Sequence, residues 1–279
     1  MTVINTNTSA AYAQNAMKTN ARFMSKAMEQ LSTGSRVNSA GDDAAGLAIG
    51  QNMTSQIRGL NMAIRNVNDG INMMQTSEGA MVEQSNMLQR MRELAIQAMN
   101  GTYSDVQRGY LDKEFQELTS QIDQIANDTM WNDQAVLKGT AAGSAVTFEF
   151  QAGKDSGQTI SVTIGAMTAS GLNLVSGAVT VSIGSGDTAA DALDVISSAL
   201  ETINEQRAAI GAGINRMQYT ADNLANIASN QTQSRSTILD TDYAIATTQL
   251  AKTQIIQQAS TAMLAQANQQ AQSVMALLK

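Results

Sequence analysis

Two stretches of this chain carry residue types that do chemistry. Between Leu31 and Ile49 stand a hydroxyl (Ser35), a guanidinium (Arg36) and two adjacent carboxylates (Asp42 and Asp43), interleaved with glycines at 34, 41 and 46. Such a set would suit a phosphate-cradling loop or a carboxylate acid–base pair. The spacing completes neither. There is no G-x-x-x-x-G-K and no third oxygen ligand for a metal. The simpler reading is a helix stop at Gly34, a polar connector, and Asp42 and Asp43 at the positive end of the next helix. Arg90, Arg92, Glu93 and Glu114 form the second set, and they read as ions on a solvated helix face.

Composition narrows the chemistry further. The 279 residues include no histidine, no cysteine and no proline, which removes imidazole bases, thiol nucleophiles, disulfides and the usual zinc sites. An enzyme would have to rely on Asp, Glu, Ser, Lys or Tyr, and no spacing assembles them. The expectation is a non-enzyme with no cofactor. Seventeen Lys and Arg against 24 Asp and Glu leave a net charge of −7 without a basic block, so no nucleic-acid partner is expected. No run approaches the ~20 apolar residues of a membrane span, and the N-terminus lacks a secretory leader pattern. The expectation is therefore no membrane insertion and no cleaved signal peptide.

The elements that must position these residues are helical. Absence of proline favours long unbroken helices. Ala10, Ala13, Met17, Ala21, Met24, Met28 and Leu31 recur at steps of three and four, as do Ile256, Ala259, Met263, Ala267, Gln270, Val274 and Leu277. Both average about 3.5 residues, the seam period of a left-handed coiled coil, so the chain ends are expected to pair. Both seams are alanine-rich, and either helix alone would be marginal.

A second helical tract from about Asp43 towards Asn100 carries Ile57, Leu60, Ile64, Val67, Ile71 and Met74 in heptad spacing. Beyond Met74 half the seam stays apolar (Met81, Leu88, Ala95), while the other half becomes Glu78, Ser85 and Arg92. The buried face must narrow or rotate there. A third tract follows Gly109, with Leu111, Phe115, Leu118, Ile122 and Ile125. The fourth runs from Leu193 to Ala228, broken only by Arg207, whose stem can lie along the seam. The 17 methionines fall mostly on these seams and read as core filling.

Residues 140–188 change period. Val146, Phe148 and Phe150 alternate, a turn-rich stretch follows, and Ile160, Val162 and Ile164 alternate again, the signature of a β-hairpin. A weaker strand is expected over Ala178–Ile183, and Asp187 or Thr188 is expected to cap the fourth helix. The expected fold is mainly α: a long antiparallel helical bundle or coiled coil with a small β-hairpin insert.

Long motifs at both ends resemble bacterial flagellin, the subunit of the flagellar filament. They are Ile4-Asn5-Thr6-Asn7, the stretch Leu31–Ile49 and the helix after it. At the C-terminal end they are the run from Ser234 through Asp240-Thr241-Asp242-Tyr243-Ala244, Ile256-Gln257-Gln258-Ala259-Ser260, and Leu264 to Gln269. The resemblance covers about residues 1–150 and 188–279. Two departures are Gln270, where many flagellins have proline, and Gly213, where a larger residue is usual.

The resemblance implies that residues 1–43 and 236–279 form a terminal coiled-coil domain at the core of a filament. It implies that 44–235 form a rod domain, with 140–188 as its hairpin and short variable insert. Leu31, Asp42, Asp43, Ile256, Met263, Val274 and Leu277 become the expected assembly residues. Implied partners are further copies of the chain, a flagellar export chaperone, the filament cap and hook-junction proteins. The implied location is the extracellular filament, reached by flagellar type III export.

The stretch Leu88–Ala95 also matches a flagellin segment recognised by host Toll-like receptor 5. That makes Gln89, Arg90, Glu93, Leu94 and Glu114 the expected receptor or subunit-contact patch. Arg90 and Leu94, four apart, are expected to present a charge beside an apolar knob. Rival expectations are a hook–filament junction protein, which shares the terminal pattern, and a flagellin with a protease insert, which would need the H-E-x-x-H that a histidine-free chain lacks.

Overall fold

The computed structural model describes residues 6–139, 144–176 and 179–276, with side chains omitted at 176, 179 and 270–276. Ile4, Asn5, Ala178, Leu277 and the side chains of Gln270 and Val274 lie outside it. Along the chain run α1 (Thr8–Thr33), α2 (Ala44–Met99), α3 (Asp105–Asp128), β1 (Met130–Trp131), β2 (Gln134–Ala135), β3 (Val146–Gln151), β4 (Thr159–Ile164), β5 (Val175–Ser176), β6 (Val179–Thr180), α4 (Gly186–Leu239) and α5 (Tyr243–Ala276). The fold is mainly helical, with three small antiparallel strand pairs among the described residues. No helix among the described residues is long and apolar enough to cross a membrane. Two compact units separate: Met1–Ile57 with Ser229–Lys279, and Arg58–Ala228.

Helix ends follow local chemistry, with two shifts from expectation. Gly34 stops α1 in the left-handed conformation, φ 71°, which glycine adopts without a Cβ penalty. The third helix starts before Gly109, at Asp105, because the Gln107 side chain reaches back to accept from the Ser104 N–H at 3.0 Å. The fourth is headed by Ser185, whose Oγ accepts from the Thr188 N–H, so neither Asp187 nor Thr188 is its cap.

In the Arg58–Ala228 unit, α2 and α4 run antiparallel. Leu60 and Ala63 pack with Leu224 and Ala228, and Met74 lies beside Gly213. One heptad line of α4 (Ile196, Ile203, Ile210, Met217, Leu224) is buried along its length, while Leu193, Leu200, Ile214 and Ala221 are half-buried. On α2 the buried face rotates after Met74, as the sequence requires, but it widens instead of narrowing. The line Met74, Met81, Leu88, Ala95 continues, and its flank becomes Ser77, Gln84, Met91 and Ala98 in place of Glu78 and Arg92. The cause is α3, which brings fully buried Phe115 and Ile122 into the same core.

The insert is core as well. In the β3–β4 hairpin Val146, Phe148 and Phe150 stand opposite Ile164, Val162 and Ile160, so one face carries all six. Val136 and Leu137, then Met167, Leu172, Leu174 and Ile183, join the helical core. Helix side chains hold the insert's backbone. Gln84 donates to the carbonyls of Ile122 and Met167, Asp112 accepts from the Ile183 N–H, and Gln206 pairs with Gly165 and Thr163 on the edge of β4. Unpaired backbone groups in a buried loop would otherwise be costly.

Candidate functional site

In the unit holding both chain ends, α1 and α5 lie antiparallel. Asn7 donates to the carbonyl of Ala267 at 3.1 Å, Asn20 to that of Thr253 at 2.7 Å, and Tyr243 Oη to that of Leu31 at 3.4 Å. The ends therefore pair, on α1 through the expected face except at Ala21 and Met28, and on α5 through a different face that shares only Ala267 with the expected one. On α1 the inward line is Ala10, Ala13, Met17, Asn20, Met24, Ala27 and Leu31, whereas Ala21 and Met28 face out. On α5 it is Ala246, Leu250, Thr253, Gln257, Ser260, Leu264 and Ala267. Ile256 and Met263, expected in the seam, are 37% and 65% exposed. Small and polar residues alternate with Met17, Met24, Leu31, Leu250 and Leu264 along the inward lines, while Ile256 and Met263 are left outside.

The connector from Leu31 to Ile49 is tied to the one between α4 and α5. Arg36 N donates to the carbonyl of Leu239 at 2.6 Å, its guanidinium donates to the carbonyl of Ile238 at 2.6 Å, and Thr241 N donates to the carbonyl of Gly34 at 2.9 Å. Both carboxylates have structural duties. Asp43 accepts from the Gly46 N–H at 2.8 Å, the start of α2, and its other oxygen is 3.6 Å from Arg36. Asp42 receives the Lys26 ammonium at 2.8 Å and the N–H groups of Ser39 and Asn38. Lys26 first, then those N–H donors, hold the Asp42 carboxyl well below the usual carboxylate range. No reactive pair is left over, and no group of three His, Cys, Asp or Glu among the described residues could hold a metal.

On the other unit, Arg90 sits between two carboxylates. Its Nη1 donates to Glu93 at 2.9 Å, and its Nε is 3.0 Å from Glu114 Oε1 on α3. Its hydrogen bonds to Glu93 and then Glu114 raise the guanidinium above its already high value, so the charge is permanent. Gln89, Arg90, Glu93 and Glu114 are solvent-facing. Leu94 is not: at 1% exposure it belongs to the core, and the expected apolar knob beside Arg90 is absent. At i, i+4 the two residues are close in angle, but Leu94 falls on the side that joins the main core cluster.

Sequence reasoning misses Asn20, Thr253 and Gln257. A signal exists, since Asn20 stands seven residues from both Ala13 and Ala27. The neighbouring Ala21 hides it by giving a more apolar pattern.

Long antiparallel helices, two of them pairing the segments near the chain ends, define a mainly helical protein of bundle or coiled-coil type. Its relatives define it more closely. Residues 4–142 match the family model for the bacterial flagellin N-terminal helical region, and residues 193–278 match that for the C-terminal helical region. A flagellin of Halalkalibacterium halodurans is 41% identical over 99% of this chain and 100% of its own length. A flagellar filament 30.7 kDa core protein of Treponema maltophilum is 40% identical over 99% of both chains. The crystal structure of Bacillus cereus flagellin aligns at 31% identity with a TM-score of 0.49, covering 57% of this chain and 88% of that one. The chain belongs to the bacterial flagellin family, and it is a structural protein, not an enzyme.

Proposed function

We propose that this chain polymerises with copies of itself into the bacterial flagellar filament that drives motility. One observation carries the reading. The helix pair buries Asn20, Ala27, Ala246 and Thr253, while Phe23 (54% exposed), Met28 (55%), Ile255 (66%) and Met263 (65%) point outward. A two-helix element burying so little cannot offset its own ordering entropy, and its outer faces need other chains. Contacts between unlike faces that do not close on themselves build open helical polymers. Residues 1–43 and 236–279 then form the filament's inner core, and 44–235 the surrounding rod.

Weak terminal helices also suit export through the flagellar type III channel, with folding deferred until neighbours cover them. The export chaperone would hold the C-terminal segment, and the cap and hook-junction proteins would meet the polymer's ends. In the free subunit Gln89, Arg90, Glu93 and Glu114 offer Toll-like receptor 5 an exposed ionic patch, with Arg the favoured anchor.

Electron microscopy of the purified polymerised chain tests the reading. Thin filaments are expected from the native chain and none from Ile256→Asp/Met263→Asp, whose exposed positions leave the Arg58–Ala228 unit folded by circular dichroism. Native chain that never polymerises, or normal filaments from the double variant, would overturn it.

A further inference from the structure

The inward faces of α1 and α5 are nearly degenerate under a shift of seven residues. Ala10, Met17, Met24 and Leu31 repeat at that interval on one helix, and Ala246, Thr253, Ser260 and Ala267 are small throughout on the other. A second line on α5 holds Leu250, Gln257 and Leu264, which are similar in length. Apolar contact therefore discriminates poorly between the observed register and one slipped by a heptad.

Asn20 breaks the degeneracy. It is 5% exposed, and its Nδ2 donates to the Thr253 carbonyl at 2.7 Å and to Gln257 Oε1 at 3.3 Å. Thr253, 1% exposed, has its own hydroxyl satisfied by the Leu250 carbonyl, so it makes no competing demand. A one-heptad slip offers Asn20 the backbone carbonyl of Ala246 or Ser260 in place of that of Thr253, but sets it against Leu250 or Leu264, which have no side-chain acceptor for its second N–H, and sets Gln257 against Ala10 or Met24. A buried amide that loses a partner is penalised more than a made bond is rewarded. One buried asparagine in a helical seam is a known way to fix register at some cost in stability.

We propose that Asn20, with Gln257 as its acceptor, locks the register of the terminal helix pair along its length, acting together with the Arg36–Leu239 and Thr241–Gly34 backbone bonds at its connector end. It decides which outward residues of α1 stand beside which of α5, and so the surface that a second copy meets. The proposal rests on the reading of this pair as the assembly element.

Disulfide trapping in the assembled filament tests it, and the cysteine-free chain gives no background. Ala10→Cys/Leu264→Cys reports the observed register, and Met17→Cys/Leu264→Cys reports a slip of one heptad. Non-reducing gels of dissociated filament separate intramolecular disulfides from crosslinks between copies. With Asn20 present, only the first pair should close within the chain. In Asn20→Leu, and equally in Gln257→Leu, the slipped disulfide should rise by about tenfold, the ratio set by ~1.4 kcal/mol.

Asn20→Ala, which removes the amide without adding bulk, should behave the same way if Asn20→Leu fails to polymerise. A slipped pair that closes in none of the variants overturns the register role. Filaments in which neither pair closes within one chain overturn instead the pairing on which the proposed function rests.

Discussion

Arg207 on α4 and Glu78 on α2 face each other, with Nη2 3.7 Å from Oε1. Arg207 is the one charge in the apolar seam of α4, and Glu78 is the first polar residue where half the α2 seam turns polar, so the two interruptions answer one another across the helix pair. Arg207 Nε is buried without a partner among the described residues, so the geometry is imperfect. With more than a third of each side chain open to solvent, the pair contributes little net stability. Glu78→Leu/Arg207→Leu should melt at or above the native temperature, while Glu78→Leu alone should melt below it because the arginine loses its counter-ion. Thermal denaturation followed by circular dichroism decides between these outcomes.

Arg90 and Leu94 should separate cleanly. Leu94→Ala removes a core side chain and should cost about 2–5 kcal/mol of stability in denaturant titrations. Arg90→Ala should leave the melting curve almost unchanged, since exposed ion pairs contribute little. On the proposed receptor reading it should still lower Toll-like receptor 5 signalling by the monomer. A large loss of stability in Arg90→Ala would make the Arg90–Glu93–Glu114 cluster a structural clamp.

Two helical glycines predict opposite signs. A Cβ at Gly213 would meet Met74 Sδ and Val162 Cγ2 at 3.4 Å, ordinary contact, so Gly213→Ala should stabilise by about 1 kcal/mol. A Cβ at Gly70 would lie 2.9 Å from the Phe150 ring, so Gly70→Ala should destabilise by displacing the hairpin. Midpoints that move in the same direction would contradict this packing.

Asp42 links the connector to pH. Its folded carboxyl titrates below its unfolded counterpart, so its stabilisation is complete above the unfolded pKa and is lost as pH falls through the folded one. In the assembled filament, Asp42→Asn should flatten the acid limb of stability for the unit holding the chain ends, and Lys26→Met should shift it upward in pH. An unchanged acid limb in both variants would show that the Lys26–Asp42 contact is not formed in solution.

Much of this is legible in one dimension. The seven-residue spacing from Leu193 to Ala228, the alternation from Val146 to Ile164 and the glycine stop at residue 34 depend on local geometry, and each appears where the spacing puts it. The lack of proline, histidine and cysteine likewise bounds the helices and the chemistry without reference to any partner. Local rules fix these features because a helix or strand repeats its own faces.

Which face meets a partner is different. Alanine-rich α1 and α5 have apolar residues on several sides, so Asn20 and Thr253 inside, with Met28 and Met263 outside, become visible only when the two helices are set against each other. The same holds for Leu94, whose burial shows only once the core is assembled, and for Arg207 and Glu78, whose charges look misplaced until they are opposed. Periodicity names the candidate stripes, and only the shape and hydrogen bonds of the neighbour select among them.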